Sequence, residues 1–159
     1  MSARERIVVT GLGVVSPVGT TVPVFYDNLL NGVSGISIVD RFDPTPFKCQ
    51  IAGQVRDFDP KTYYLKKKKI KQNDLATHFA VAASHIALAD AGMKLDDGSV
   101  DATRVGVCIG SAFGGMASFE TACGELAANG PSAVGPYTIP MILGLALASF
   151  VHQLFKYSV

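Results

Sequence analysis

The apolar positions of this chain change period several times, and each change marks an element. Ile7-Val8-Val9-Thr10 is a β-branched run closed by Gly11-Leu12-Gly13, which predicts a buried strand ending in a turn. Ser16-Pro17-Val18-Gly19 prolongs that turn. Pro23 stands where a helix favours its first residue, Phe25, Leu29 and Leu30 supply an apolar face, and Gly32 supplies the stop. From Gly32 to Pro60 the chain is loop-rich, with a short strand expected between Cys49 and Val55. A helical pattern then runs to Gly92, with Leu75, Phe79, Ala82, Ala83, Ile86 and Asp90 at three- and four-residue spacings. Val105 to Ile109 predicts a second buried strand, ending in the small residues around Gly114-Gly115, and a helix is expected from about Met116 to Ala128. After a Pro/Gly loop through Pro140, the apolar run Ile139–Val151 reads as a buried helix, since a membrane span needs about 20 residues. Strands alternating with helices, each strand leaving through a glycine-rich turn, indicate a layered α/β fold.

Composition narrows this only slightly. The chain has 159 residues, 48% hydrophobic and 17% charged, which fits one folded domain and excludes a disordered, highly charged chain. Fourteen Lys and Arg against 13 Asp and Glu leave a net charge of +1, so overall charge names no partner. Cys49, Cys108 and Cys123 are widely spaced without a CxxC pair, which argues against a disulfide framework or zinc site and fits a reducing compartment. No signal-peptide h-region precedes the first predicted strand.

Four local features invite a chemical reading. Gly11-Leu12-Gly13 follows a strand, but a dinucleotide fingerprint needs a third glycine where Ser16 stands and a helix where Pro17 follows; a tight strand exit is the better account. Lys66-Lys67-Lys68-Lys69-Ile70-Lys71 places five like charges in six residues. A solvated helix start explains them, yet lysines at a helix N-terminus oppose the macrodipole, and an anionic partner would offset that cost. No aromatic interleaving suggests single-stranded nucleic acid. Cys123 follows Thr121-Ala122 as a nucleophile would, but its setting is helical with Glu120 and Glu125 close by, and carboxylates oppose the thiolate; a structural role is favoured. His78, His85 and His152 lie in helical, apolar context and read as packed or surface histidines.

In order, Val8 to Gly19 (VVTGLGVVSPVG), Gly32 to Gly35, Arg41-Phe42-Asp43, the lysine run with Asp74 and its alanine-rich helix, Val105 to Gly115, and Gly130-Pro131 through Pro140 are similar to the opening motifs of the β-ketoacyl-acyl carrier protein synthases. The resemblance covers about residues 5 to 148. It implies an α/β fold that is the incomplete N-terminal half of a thiolase-type αβαβα sandwich, a single domain over residues 1–159, from an enzyme that is usually a homodimer. The family's members condense a cysteine-bound acyl group with malonyl-acyl carrier protein and release carbon dioxide. Their nucleophile is a cysteine at a helix start, and histidines of the second half stabilise the developing enolate.

By the order of motifs, the nucleophile turn is expected just beyond Val159 and the histidines further on, so Thr121-Ala122-Cys123 is a look-alike. No catalytic residue is assigned to this chain, which is expected to be inactive by itself. The resemblance assigns Lys67, Lys68 and Lys71 to docking of acyl carrier protein, Phe113 to the acyl pocket, and Tyr137 and Thr138 to the region of the dimer contact and the partner's pocket. It implies no cofactor, metal, nucleic acid or membrane partner, and a cytoplasmic or organelle-matrix location. A non-catalytic carrier- or partner-binding module is the alternative, and a coenzyme A-handling thiolase relative ranks below both, because the basic segment and GLGVVSPVG opening fit the synthases better.

Overall fold

The computed structural model describes residues 6–64, 67–94, 100–144, 147–149 and 151. In chain order the regular elements are helix α1 (Val22–Leu30), strands β1 (Ile36–Ile38) and β2 (Ile51–Gly53), the one-turn helix α2 (Lys67–Ile70), and helices α3 (Leu75–Asp90), α4 (Met116–Asn129) and α5 (Thr138–Ile142). Short 3₁₀ turns stand at Pro60–Tyr63, Ala102–Arg104 and Pro131–Ala133. None of the helices among the described residues is long and apolar enough to cross a membrane.

Helix α3 is the central support. It begins at Asp74, whose carboxylate accepts the Ala76 N–H at 2.9 Å, and stops at Gly92, held at φ +65° where a side chain would be strained. Its most buried residues are Thr77, His78, Val81 and Ala82; of the apolar face expected from spacing, Ala82 is fully buried, while Leu75, Phe79, Ala83 and Ile86 are half-buried and Asp90 is exposed. Spacing identifies a stripe, but α3 is covered from several directions. On one side Val81 and Val151 pack with Tyr63, Tyr64, Val105, Val107 and Ile109, and Phe58 meets Phe79 edge-on at 5.0 Å. On another the chain around Gly11 and Gly13 lies against the helix backbone. A Cβ on Gly11 would stand 2.7 Å from the Ala91 nitrogen, and one on Gly13 2.7 Å from the Ala87 nitrogen, so only glycine permits this approach. The Leu12 N–H donates to Asp90 Oδ2 at 2.8 Å, fixing the register of the segment.

Both predicted long strands depart from expectation. Ile7–Thr10 and Val105–Ile109 belong to no ladder among the described residues, and Ile7, Val8 and Val9 are 96%, 58% and 79% exposed. β-branched residues favour extended backbone, but ladder hydrogen bonds come only from a neighbour, and no described residue supplies one. Val105, Val107 and Ile109 still face the core while Gly106, Cys108 and Gly110 face outward, the alternation of a strand covered on one face.

The sheet that does form is the antiparallel pair β1–β2, Ile36 opposite Gly53 and Ile38 opposite Ile51. It seats on Pro17: a Cβ on Gly35 would lie 2.8 Å from the Pro17 Cβ. The Ser16–Gly19 turn closes through reciprocal N–H···O bonds of 3.0 and 3.2 Å, and Asn28 Nδ2 of α1 donates to the Val18 carbonyl. The exposed Arg56–Asp40 pair at 3.0 Å ties the sheet to its flank.

Two further expectations need correction. The lysine segment and the long helix are separate, because α2 ends at Ile70 and Lys71-Gln72-Asn73 turn the chain before Asp74 restarts it. The run Ile139–Val151 is likewise broken: α5 ends at Ile142, Leu143 is extended at φ −67°, ψ 126°, and helix is taken up again at Gly144. Leu147 and Val151 are buried, as a core helix requires.

Replacing Gly13 with Ala is expected to lower stability by about 1–3 kcal/mol or more, because the new methyl meets the backbone of α3; an unchanged urea midpoint would show that the contact yields freely. The unpaired extended segments and exposed Ile7, Val9, Ile36 and Ile38 should also drive self-association at tens of micromolar. Sedimentation velocity checks this, a sharp monomeric boundary being the contrary result.

Candidate functional site

Of the residues singled out in the sequence, Phe113 and Thr138 fall near the start of α4. Gly115 is the N-cap of α4 and is a glycine of necessity: a Cβ there would stand 2.8 Å from the Asp74 Cβ and 2.9 Å from the Met141 carbonyl carbon. The helix therefore has no capping side chain of its own. Asp74 provides one from 44 residues away. Its Oδ2 accepts the Ser118 N–H at 3.1 Å and the Ser118 hydroxyl at 2.6 Å, while Oδ1 caps α3. A carboxylate at two helix N-termini also lies where both macrodipoles favour negative charge. Asp74 is only 6% exposed, so these donors replace its lost water.

The turn before α4 is held equally closely. Gly114 takes φ +65°, the Gly115 N–H donates to the Ile142 carbonyl at 3.2 Å, and the Gly114 N–H donates to Ser111 Oγ at 2.9 Å. Phe113 is thereby thrust outward, 72% exposed. It stands with Ile109, Ile142, Leu143 and Ala148 around an open cleft of about 500 Å³. A second cleft of about 360 Å³ lies along α4's first turns, lined by Ala117, Ser118, Thr121, Ala122, Val134 and Thr138 among others. Thr138 reaches this cleft, whereas Tyr137 caps the start of α5 outside its lining, 46% exposed.

The lysine segment leads into Asp74 along the chain. Lys67 and Lys68 form the first half of α2, and their side chains lie outside the described residues; Lys71 is exposed just past its end. Asn73, 5% exposed, donates from Nδ2 to the Lys69 carbonyl at 2.7 Å and fastens the end of α2. The half-buried Tyr64 pairs with buried His78, hydroxyl to Nδ1 at 2.9 Å with the rings edge-on at 5.3 Å. Burial pushes the Tyr64 phenol up to about 12. Burial also lowers His78 below the usual imidazole range, opposed by the nearby Asp74 charge. His85 is lowered by burial as well, opposed by a hydrogen bond with the Tyr63 backbone. These groups are therefore neutral near neutral pH and suit packing rather than proton transfer.

Cys49, Cys108 and Cys123 are all exposed and unpaired with one another. Cys123 lies midway along α4, away from the helix start that activates a thiol, and its exposure replaces the packed role expected for it. Gly11 and Gly13 face α3, not an open phosphate cradle, and α1 begins only at Val22. His152 lies outside the described residues. Sequence reasoning missed the Asp74–Ser118 link. Its one signal was a helix opening on Gly-Gly with no Ser, Thr, Asp or Asn at the cap.

The pattern of the Beta-ketoacyl synthase, N-terminal domain, family matches residues 4–156. The chain belongs to the beta-ketoacyl synthase family. It is 37% identical over 143 residues to 3-oxoacyl-[acyl-carrier-protein] synthase 2 of Staphylococcus aureus (strain N315), a match covering 90% of this chain and 34% of that relative. Among solved structures, the ishigamide ketosynthase/chain length factor superposes with a TM-score of 0.80 at 30% identity, over 97% of this chain and 38% of the other. A type II PKS acyl-carrier protein in complex with its ketosynthase gives a TM-score of 0.78 at 24% identity, over 98% of this chain and 40% of the other, and shows the common fold. This beta-ketoacyl synthase chain thus spans about a third of the length of the curated relative it matches. It carries the thiolase-type fold of the ketosynthases over their N-terminal part, as the sequence motifs implied.

Burial of neutral His78 and His85 gives the fold a pH dependence. The unfolded chain takes up these protons from about pH 6.5 downward and the folded chain only at lower pH, so stability is full above that value and falls as the pH drops through it. At the alkaline end the unfolded tyrosine ionises near 10 and Tyr64 near 12, so stability falls again between these values. Thermal midpoints measured across pH 5 to 11 should show both declines; a midpoint flat from pH 7.5 to 5.5 would contradict the burial of the histidines.

Proposed function

We propose that this chain forms the carrier-docking and acyl-pocket portion of a condensing enzyme that joins an acyl thioester to malonyl-acyl carrier protein. In this reading Lys67, Lys68 and Lys71 receive the acidic surface of acyl carrier protein, Phe113 gates the cleft that admits the acyl chain, and Tyr137 and Thr138 border the contact with a second protomer. The observation that carries the proposal is the junction at Asp74: the basic segment ends three residues before it, and its carboxylate holds the helix that follows the Phe113 turn. A carrier protein seated on the lysines would stand on the element that fixes the mouth of the apolar cleft. The relatives' own description names an acyl carrier protein, and a neighbour of the same fold was solved with one.

Among the described residues no cysteine sits at a helix start with a histidine beside it. The bond-forming sulfur and the groups that stabilise the enolate are accordingly assigned to no residue described in this chain. The work left to this part is recognition and positioning, in a compartment that keeps exposed thiols reduced.

Changing Lys67, Lys68 and Lys71 together to Glu should weaken binding of acyl carrier protein by about tenfold or more, since each exposed pair is worth only about 0.2–1 kcal/mol and the three act together. Binding by the natural chain should also weaken steeply between low and physiological salt. Calorimetric titration measures both; equal affinity for the triple variant and the natural chain would remove the lysines from the docking surface.

A further inference from the structure

Two ways of starting a helix meet at Asp74. For α3 it is an ordinary N-cap, bonding a backbone N–H two residues on. For α4 it substitutes for a cap that Gly115 cannot carry, because any side chain there would collide with Asp74 itself and with the backbone of Met141. The close approach that excludes a local cap is thus the same one that brings the distant carboxylate within reach of Ser118. The segments entering these two helices are the lysine segment, through Lys71-Gln72-Asn73, and the Phe113 turn, through Gly114-Gly115.

We propose that Asp74 is a positioning residue that locks the lysine segment and the Phe113 turn into one unit, so that a carrier protein docked on the first is felt at the second. The proposal rests on the docking reading above. Its structural half, the cap in trans, stands on the distances of 3.1 and 2.6 Å to Ser118 alone. Docking tightens residues 67–73, Asp74 conveys the restraint to the first turn of α4, and the Gly114-Gly115 backbone, wedged against Met141 and Ile142, passes it to Phe113. An asparagine keeps one accepting oxygen and carries no charge, so the Ala76 and Ser118 N–H groups must share a single neutral acceptor and both helix starts are held more weakly.

Amide hydrogen exchange of the 159-residue chain, with the natural sequence, Asp74→Asn and Ser118→Ala, tests this. Without carrier, Asp74→Asn should speed exchange in the first turns of α3 and α4 together by about five- to tenfold, as loss of a cap does, while β1–β2 exchanges as before. Ser118→Ala, which deletes one donor to Oδ2 and leaves the Oδ1 cap of α3 in place, should speed exchange by a few-fold at the start of α4, and it decides the matter if Asp74→Asn does not fold. Exchange at α4 unchanged in the folded variants overturns the proposal. With acyl carrier protein added, the natural chain should be protected at residues 67–73 and at 111–119, and Asp74→Asn only at 67–73. Protection of both segments in Asp74→Asn also overturns it. Absence of protection at 67–73 in the natural chain sinks the docking reading and with it the coupling, whereas the carrier-free comparison still decides whether Asp74 caps both helices.

Discussion

Burying the Asp74 carboxylate is tolerable only because donors replace the water it gives up. Two backbone N–H groups and one hydroxyl surround it, from the first turns of two helices, and Ser118 lies 44 residues further along the chain. Charge-assisted hydrogen bonds contribute about 1.5–3 kcal/mol each, and a charge left without them costs more than that. The arrangement is therefore close to all-or-none: either α3 and α4 start at this point together or the carboxylate must return to solvent. Much of the surrounding geometry follows. Gly115 has to be glycine, the Phe113 turn has to pass between Asp74 and α5, and the lysine segment has to end before Asp74 rather than run into α3.

Around this point the chain uses glycine to bring backbones together and aromatic groups to fill what remains. Gly11 and Gly13 lie on α3, Gly35 and Gly53 lie on Pro17, and Gly114 and Gly115 lie against the end of α5. Phe58, Tyr63 and Tyr64 gather along α3 against Phe79, His78 and His85. Those histidines stay neutral because burial, and not a catalytic partner, governs them. The part of the ketosynthase fold present here is accordingly a scaffold whose fine positioning comes from close backbone contacts and one shared carboxylate. Among the described residues of the lysine segment and the Phe113 turn, Lys71 and Phe113 are exposed.

Much of the architecture was legible from single residues. Pro23 and Gly32 bracketed α1, Gly92 ended α3, and the glycines before Met116 marked the start of α4, because each restricts φ or accepts a value of φ that other residues resist. The ordered motifs pointed to the family over nearly the whole chain. Less legible were breaks inside apolar runs: hydropathy from Ile139 to Val151 is continuous, yet Leu143 is extended where the chain turns around the Gly114-Gly115 backbone. The surroundings of the candidate residues were not legible: nothing in the spacing of Phe113 and Thr138 says that Asp74, Gly115 and Met141 meet between them.

By itself the sequence determined what depends on short-range physics: where helices can begin and end, which runs favour extended backbone, where like charges accumulate, and which family's motifs it contains. Only the tertiary structure decided which helix caps which, which face of α3 is deepest, and whether the β-branched runs find ladder partners. The reason is the range of the interactions. Backbone preference and local capping act over a few residues and are written in the residue types, whereas a carboxylate that reaches a serine 44 residues away, or the pairing of an extended run, depends on what the folded chain brings beside it.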